Sequence, residues 1–484
     1  MSDMKEKKEK KGKFKQSFTN RRFKLGAYQT VITVIVLVVV IVLNLMVTKM
    51  DIMIDLSSDA KYTLTDDTKN MVKATNDKVT LYYMVSEGKE IDLIKKVVDQ
   101  YGKLQGNVSV IKKDPIVYPS FAKQYTEDDV SDNDVIVVNE TNKKSKHVKQ
   151  SDMAPATMDY QTYQQTYETL DAEGQITSAI QAVTSTETKK LYFTSGHKEQ
   201  ELANSFKELL SKSNINVEES RTDNLEKVPE DCDFLLINGP EYDLSDKEYQ
   251  IVKAYLENGG KAMFFLNSEA KDTNLTNYYK LLADYGVQVQ NGFVVESKDN
   301  CVQALTVVRP TAESHDITAD VSETKPVLLP INKPLAVISE VRSTLKVEPL
   351  FTSSAESFAR VDTSIQSTTK TENEAAGPFT LAAAVTDEYR DKTAKLIVFG
   401  SFEAANESFV ASEQYGNRSV MVNAVNWLSD SETKTLSIPT RSIKETYVEV
   451  PAGDRIFWTV LLVGVLPLGF LAGGFVIWYR RRKS

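Results

Sequence analysis

Cysteine and histidine are nearly missing from this chain of 484 residues. Two cysteines, Cys232 and Cys301, and three histidines, His147, His197 and His315, are all it has. The cysteines form no C-x-x-C and no metal-ligand spacing, which excludes dithiol redox chemistry and a disulfide-built fold. Whether the two pair with each other stays open, since both fall in a stretch read below as exterior, where a disulfide is allowed. The histidines show neither H-x-x-x-H nor H-E-x-x-H spacing. A metal site wants about three protein ligands, so none is expected. There is no G-x-x-x-x-G-K-[ST] and no G-x-G-x-x-G, so P-loop hydrolysis and dinucleotide binding are not expected, and no cofactor is called for. A lipobox cysteine is also missing, which sets aside a lipoprotein anchor.

What is present begins with charge. The net charge is −9, but residues 1–24 carry ten Lys/Arg against three acids, and the closing RRRKS carries four more bases. The remainder holds 44 basic and 64 acidic residues. So acidic a body argues against nucleic-acid binding, which needs a basic face to displace counterions.

The basic tails flank two uncharged apolar runs, AYQTVITVIVLVVVIVLNLMV (27–47) and IFWTVLLVGVLPLGFLAGGFVIWY (456–479). Each is long enough to cross roughly 30 Å of hydrocarbon as a helix. Aromatic residues bracket the second, as interfacial anchors do. The first exceeds the apolar core of a signal peptide and no A-x-A site follows, so it is read as an uncleaved anchor. Lys/Arg-rich flanks stay in the cytoplasm. The expectation is a two-pass protein of the cell membrane with both tails (1–26 and 480–484) cytoplasmic and a large extracytoplasmic region. Pro467 and Gly473-Gly474 suit either close helix packing or a kink.

Between the spans the pattern is α/β. Thr65 is placed to cap a helix opening with Asp66 and Asp67. KVTLYYMV reads as a strand, 89–104 as a helix burying Ile91, Ile94, Val97, Val98 and Tyr101, NVSVIKKDP and DVIVVNE as strands, and Asn142-Lys143-Lys144 as a hairpin turn leading through His147 and Val148. That order, over 51–150, is the order of a thioredoxin-like domain without its C-x-x-C. Residues 151–185 are read as a connector and an amphipathic helix with Ile176, Ala179, Ile180 and Val183 on one face.

From 186 to 432, strands (KKLYF, DFLLINGP, KAMFFL, KLIVFGS) alternate with helices, which calls for a parallel sheet covered on both faces, of the flavodoxin or class I amidotransferase-like kind. Ser245 and Glu248 form an S-x-x-E capping box, and Gly259-Gly260 end that helix. Residues 352–376, rich in Ser, Thr and Glu, are read as a mobile loop inside this domain. Residues 433–455 return the chain to the second span.

In an open α/β sheet, ligands bind at the carboxyl ends of strands. TSGHKEQ follows the first strand of the larger domain, which makes Ser195, Gly196, His197 and Glu199 candidates for a ligand or gating loop. Asn238 and Gly239, at the end of the next core strand, are candidates for the same cleft. His197 and Ser401 are the one conceivable catalytic pair. FGSFEAA departs from G-x-S-x-G, with Phe399 and Glu403 where the glycines belong, and no further nucleophile or ligand set supports chemistry. The expectation is therefore no enzyme, with His197 ordering its turn or touching a ligand.

The chain resembles the GldG-like auxiliary proteins of ABC-2-type transport systems, known from gliding-motility operons. The resemblance rests on KYTLTDDTKNMV, EGQITSAIQAV, LYFTSGHKEQEL, DFLLINGPEYDLSDKEYQIVKAYLENGGKAMFF, GPFTLAAAV (377–385), VFGSFEAAN and GNRSVMVNAVNWL (416–428), in order along nearly the whole chain. The family's loop looks like S-G-H-G-E, and Lys198 replaces its second glycine here. The resemblance implies a non-catalytic membrane partner of an ABC-2-type permease and a cytoplasmic ABC ATPase. The alternatives are a membrane-anchored serine hydrolase using His197 and Ser401, and a structural anchor that binds envelope polymer.

Overall fold

The computed structural model describes residues 28, 30–42, 61–104, 106–159, 164–185, 188–221, 226–269, 275–338, 342–361, 368–412, 414–430, 436, 438, 440–443 and 458–483. Within the first apolar run the described part is a helix, Thr30–Val42, shorter than a bilayer span. Near the other end, Val460–Arg480 is one continuous helical stretch, long and apolar enough to cross a membrane, and it is the only such stretch among the described residues. The basic N-terminal tail and most of 433–457 lie outside them.

The smaller sheet has order β2-β1-β3-β4, with β1 (Val79–Met84), β2 (Val108–Lys113), β3 (Asp134–Asn139) and β4 (Ser145–Val148). β1 runs parallel to β2 and antiparallel to β3, and β3 runs antiparallel to β4. Helix α1 (Asp66–Ala74) is capped by Thr65, whose side chain accepts from the Thr68 amide. Helix α2 (Asp92–Lys103) buries Ile94, Val97, Val98 and Tyr101, the face its periodicity predicts.

One sequence expectation changes in this region. The connector part of 151–185 contains a hairpin (Ala156–Asp159 with Gln164–Tyr167), and it is followed by the expected helix, α3 (Ala172–Thr184). Ile176, Ala179, Ile180 and Val183 of α3 share one core with Val79, Leu81, Val135 and Val137, so the helix completes the small body. Periodicity announces a buried face; it does not say which sheet buries it.

His147 on β4 is held between two carboxylates. Its Nε2 lies 2.9 Å from Asp134 Oδ2 and its Nδ1 3.4 Å from Asp128 Oδ2, and Lys149 sits 3.3 Å from the same Asp128 oxygen. The hydrogen bond to Asp134 is the largest influence and raises the histidine pKa against the opposing effect of burial. A histidine pKa raised by folding adds stability that is complete below the unfolded value, about 6.5, and fades as pH climbs through the folded value. Denaturation midpoints should therefore fall across that window, and the fall should be shallower in His147→Gln. Equal slopes in both proteins would contradict the assignment.

The larger sheet holds ten strands among the described residues. Its main path is β6-β5-β7-β8-β16-β15-β11-β9, from β5 (Lys189–Ser195), β6 (Ile215–Arg221), β7 (Phe234–Asn238), β8 (Lys261–Phe265), β9 (Val287–Val289), β11 (Leu335–Val337), β15 (Thr380–Tyr389) and β16 (Lys392–Phe399). Strands β6, β5, β7, β8 and β16 are parallel. Consecutive residues face opposite ways, as a pleated strand requires. Leu191, Leu236, Phe265 and Phe399 enter one core with α4 (Asn204–Lys212) and α7 (Asn417–Ser429). Tyr192, Leu235, Phe264 and Val398 enter the other, under α5 (Asp246–Glu257) and α6 (Thr276–Asp284).

The half beyond β16 is antiparallel, which strand–helix alternation does not foretell. Here GPFTLAAAV supplies β15, paired antiparallel with β16 and with β12 (Leu345–Thr352). The expected mobile loop 352–376 is corrected as well. Its described residues include β13 (Phe358–Arg360), which pairs with β10 (Phe293–Val295) and with β14 (Ala375–Ala376). Arg360 and Glu374 form a buried ion pair, 2.6 Å between Nε and Oε1, that ties the ends of this stretch together. Cys232 and Cys301 are free thiols, and burial pushes the Cys232 pKa up to about 11.

Candidate functional site

The chain runs from β5 outward to β6 and then returns past β5 to β7. The carboxyl ends of β5 and β7 are thus where the strand order reverses, and such a point opens a crevice. Ser195 ends β5 and Asn238 ends β7, so all six loop candidates meet here.

The two loops are laced by the backbone. The Gln200 amide donates to the Asn238 carbonyl (2.8 Å), and Asn238 Nδ2 donates back to the Gln200 carbonyl (2.8 Å). The amides of Glu241 and Tyr242 both donate to the His197 carbonyl, at 2.9 and 3.2 Å. Gly239 has φ +56°, and a Cβ there would stand 3.1 Å from the Phe402 ring and 3.2 Å from Gln200. Glycine suits that position both by conformation and by space.

His197 is buried, and its Nε2 lies 3.2 Å from Glu248 Oε2. The same carboxylate oxygen accepts from the Ser245 amide (2.8 Å) in the capping box that starts α5. The histidine side chain thereby fastens the β5 loop to a helix terminus. Glu199 turns inward too, its Oε2 accepting from the His197 amide at 2.8 Å. Glu248, Gln200 and Phe402 escaped the sequence reading as site residues. For Glu248 the capping box was the visible signal, and its second partner, His197, stands on a loop distant in sequence.

Lys198 is exposed and sits in the left-handed region at φ +52°, with its ammonium 5.5 Å from the centre of the Tyr242 ring. A glycine would adopt this conformation without strain. The left-handed conformation costs an L-residue roughly 1–2 kcal/mol. Lys198→Gly should leave stability within about 1 kcal/mol of wild type, because relief of strain is offset by the freer unfolded chain and the lost ring contact. Lys198→Val, β-branched, should lose about 1–2 kcal/mol. Thermal melts of the two variants check the difference, and a valine variant as stable as the glycine one would refute it.

Two buried polar atoms at these strand ends make no hydrogen bond among the described residues: Thr194 Oγ1 and Asn238 Oδ1. Beside them, Ser195, Gly196, Lys198 and Glu199 face α4 and β6 across a cavity of about 790 Å3.

Ser401 follows β16, at the far side of the parallel strands from β5. Strands β7 and β8 lie between β5 and β16, which at the usual interstrand spacing puts the strand ends about 14 Å apart. Ser401 is buried, and its Oγ accepts from the Glu403 amide (3.1 Å) as the cap of a short 3-10 turn. Ser401 Oγ is thus engaged as a cap acceptor at the end of a strand three positions from β5. No group of three or more metal-holding side chains occurs among the described residues.

The site therefore belongs to an α/β body with a laced switch-point crevice whose one histidine is engaged by a helix cap. Residues 188–424, just under half of the chain, match the model of a family described as ABC-type uncharacterized transport system, which is consistent with an auxiliary protein of such a system. No curated protein matches. Among solved structures, the "mmIFT52 N-terminal domain" is 17% identical over 50% of this chain and 99% of its own, with a TM-score of 0.38. A putative GMP synthase component from Thermoplasma acidophilum is 8% identical, covers 51% of this chain and 96% of its own, and has a TM-score of 0.28. PurLQS from Thermotoga maritima is 11% identical over 50% and 100%, with a TM-score of 0.26. Scores this low leave the functional reading to the family match and to the geometry.

Proposed function

We propose that this auxiliary component of an ABC-type transport system is a non-catalytic, membrane-anchored protein. It would be held by the apolar segments at 27–47 and 456–479, with both tails cytoplasmic and the α/β bodies outside. Its partners are an ABC-2-type permease and a cytoplasmic ABC ATPase, and it handles or gates the transported substrate at the β5/β7 crevice. The observation that carries this reading is the family match over 188–424, which spans the body containing that crevice. Ser195, Lys198 and Glu199 line the cavity beside these strand ends and supply the polar groups a ligand would meet there. The basic residues beside both apolar runs support the topology. The strand order β2-β1-β3-β4, with its directions, supports a thioredoxin-like reading of the small body. For the larger body, the parallel half of the sheet is what an amidotransferase-like reading calls for.

A photo-crosslinking residue placed at Lys198 in native membranes tests the gating role. The expected products contain the permease or its substrate and disappear when the permease gene is deleted. Products unchanged by that deletion would remove the gating loop from the account. Cysteines placed singly in residues 1–24 and in 480–484, in a chain otherwise free of cysteine, should resist an impermeant thiol reagent in intact cells. Labelling of either tail would overturn the two-pass topology.

A further inference from the structure

The largest cavity among those described, about 1050 Å3, is an open groove remote from the switch point, and no residue of the SGHKEQ or NGP loops lines it. Its floor is the polar face of β12, β15 and β16, with Lys346, Glu348, Thr386 and Glu388 among its residues, and its wall is built from residues 312–321 and Trp427 of α7. Trp427 and His315 meet edge to face, 5.6 Å between ring centres. Of the three tryptophans, Trp427 is the one outside the C-terminal apolar segment and its flank.

The chemistry of the lining narrows the ligand. The groove's lysines are already engaged: Lys346 Nζ pairs with Glu348 at 2.8 Å, and Lys395 is bound to Asp430, donates to the Trp427 carbonyl at 3.1 Å and lies 4.8 Å over the indole centre. Against them stand Glu313, Asp316, Glu348 and Glu388, so an anion would be repelled. An apolar ligand would bury these polar groups without partners, at a cost. A peptide adding to the edge of β12 would meet Pro349, which offers no N–H and sits where the register shifts.

What remains is a neutral ligand that both donates and accepts hydrogen bonds many times over. His315 Nδ1 accepts from the Ile317 amide (3.1 Å), so the neutral ring carries its proton on Nε2 as a donor. Burial lowers the His315 pKa, which keeps the ring neutral. The indole N–H of Trp427 has no protein acceptor among the described residues. Donors from two rings facing carboxylate acceptors match hydroxyl groups, each of which can do both.

We propose that this groove is a binding site for a neutral saccharide segment, separate from the switch-point crevice. The test uses the full-length protein in detergent with maltotetraose, cellotetraose and chitotetraose as probes, and tetraalanine and inorganic phosphate as comparison ligands. The expected result is saturable binding of at least one saccharide by calorimetry, with a matching change in tryptophan fluorescence that Trp427→Phe abolishes. Glu388→Gln, at an exposed position, should bind about tenfold more weakly while melting as wild type does. His315→Asn, whose side-chain oxygen can still accept from the Ile317 amide, should also bind about tenfold more weakly. No saturable saccharide binding, binding indifferent to both substitutions, or preferential binding of tetraalanine or phosphate would each overturn the proposal. Success or failure here is independent of whether a permease and ATPase accompany the chain.

Discussion

Glu173→Ala is expected to destabilise the protein by about 3–5 kcal/mol, because it breaks a buried ionic cluster from one side. Glu173, 5% exposed, lies in the first turn of α3 and gathers both ends of the folded region. Its Oε1 accepts from the Thr65 amide (2.6 Å) and the Thr65 hydroxyl (2.8 Å), on the segment that leads in from the N-terminal apolar run. Its Oε2 pairs with Arg441 (2.6 Å), on the segment that leads out, and Arg441 also donates to the Thr63 carbonyl (2.8 Å). Beside it, a Cβ on Gly174 would stand 2.5 Å from Asp171 Oδ1, so the glycine of EGQITSAIQAV admits the Asp171–Lys212 ion pair that joins α3 to α4. Alanine at 173 strands the arginine and the amide together. Hydrogen exchange should report faster opening of residues 63–74 and 441–443 than of the parallel strands, since local openings follow local contacts. Glu173→Gln, which can still accept from Thr65, should lose less. Unchanged protection in the alanine variant would mean the cluster contributes nothing.

Arg360→Met is the second large effect, at about 3 kcal/mol, with the double variant Arg360→Met/Glu374→Met recovering part of the loss. The guanidinium is buried and bonds Glu374 twice, at 2.6 and 3.3 Å, and the Thr369 carbonyl at 3.0 Å. Glu374 in turn accepts from the Thr371 amide at 2.7 Å. Without the arginine a carboxylate is left buried and unpaired, and β14 loses its hold on β13. Protease cleavage within 361–374 should rise sharply in the single variant and less in the double. A double variant weaker than both singles would show that the charges stabilise this stretch beyond mutual neutralisation.

These two positions also mark what sequence reading reaches. The EGQITSAIQAV helix was legible from its period, and its apolar face is buried as expected. Its home was not legible, because periodicity is local and the sheet that receives it was formed by residues 79–148. Residues 352–376 are polar enough to read as a loop, yet one ion pair between positions 14 residues apart organises them. At the crevice the reverse holds. Loops that directly follow core strands must emerge at one sheet edge, so Ser195, Gly196, His197, Glu199, Asn238 and Gly239 could be grouped from order alone. Position across the sheet could not be read that way: β16, which leads into Ser401, lies three strands from β5. Lys198 shows a third case: a departure from S-G-H-G-E that the backbone accommodates in the left-handed conformation a glycine would favour.

The measurement that bears most directly on the account is affinity purification of the tagged full-length protein from native membranes in mild detergent, with mass spectrometry of the co-eluting chains. The account predicts a permease and an ABC ATPase in fixed proportion to the bait, retained through a second, size-based separation. Recovery of this chain alone, from a preparation in which an unrelated membrane complex stays intact, would contradict it.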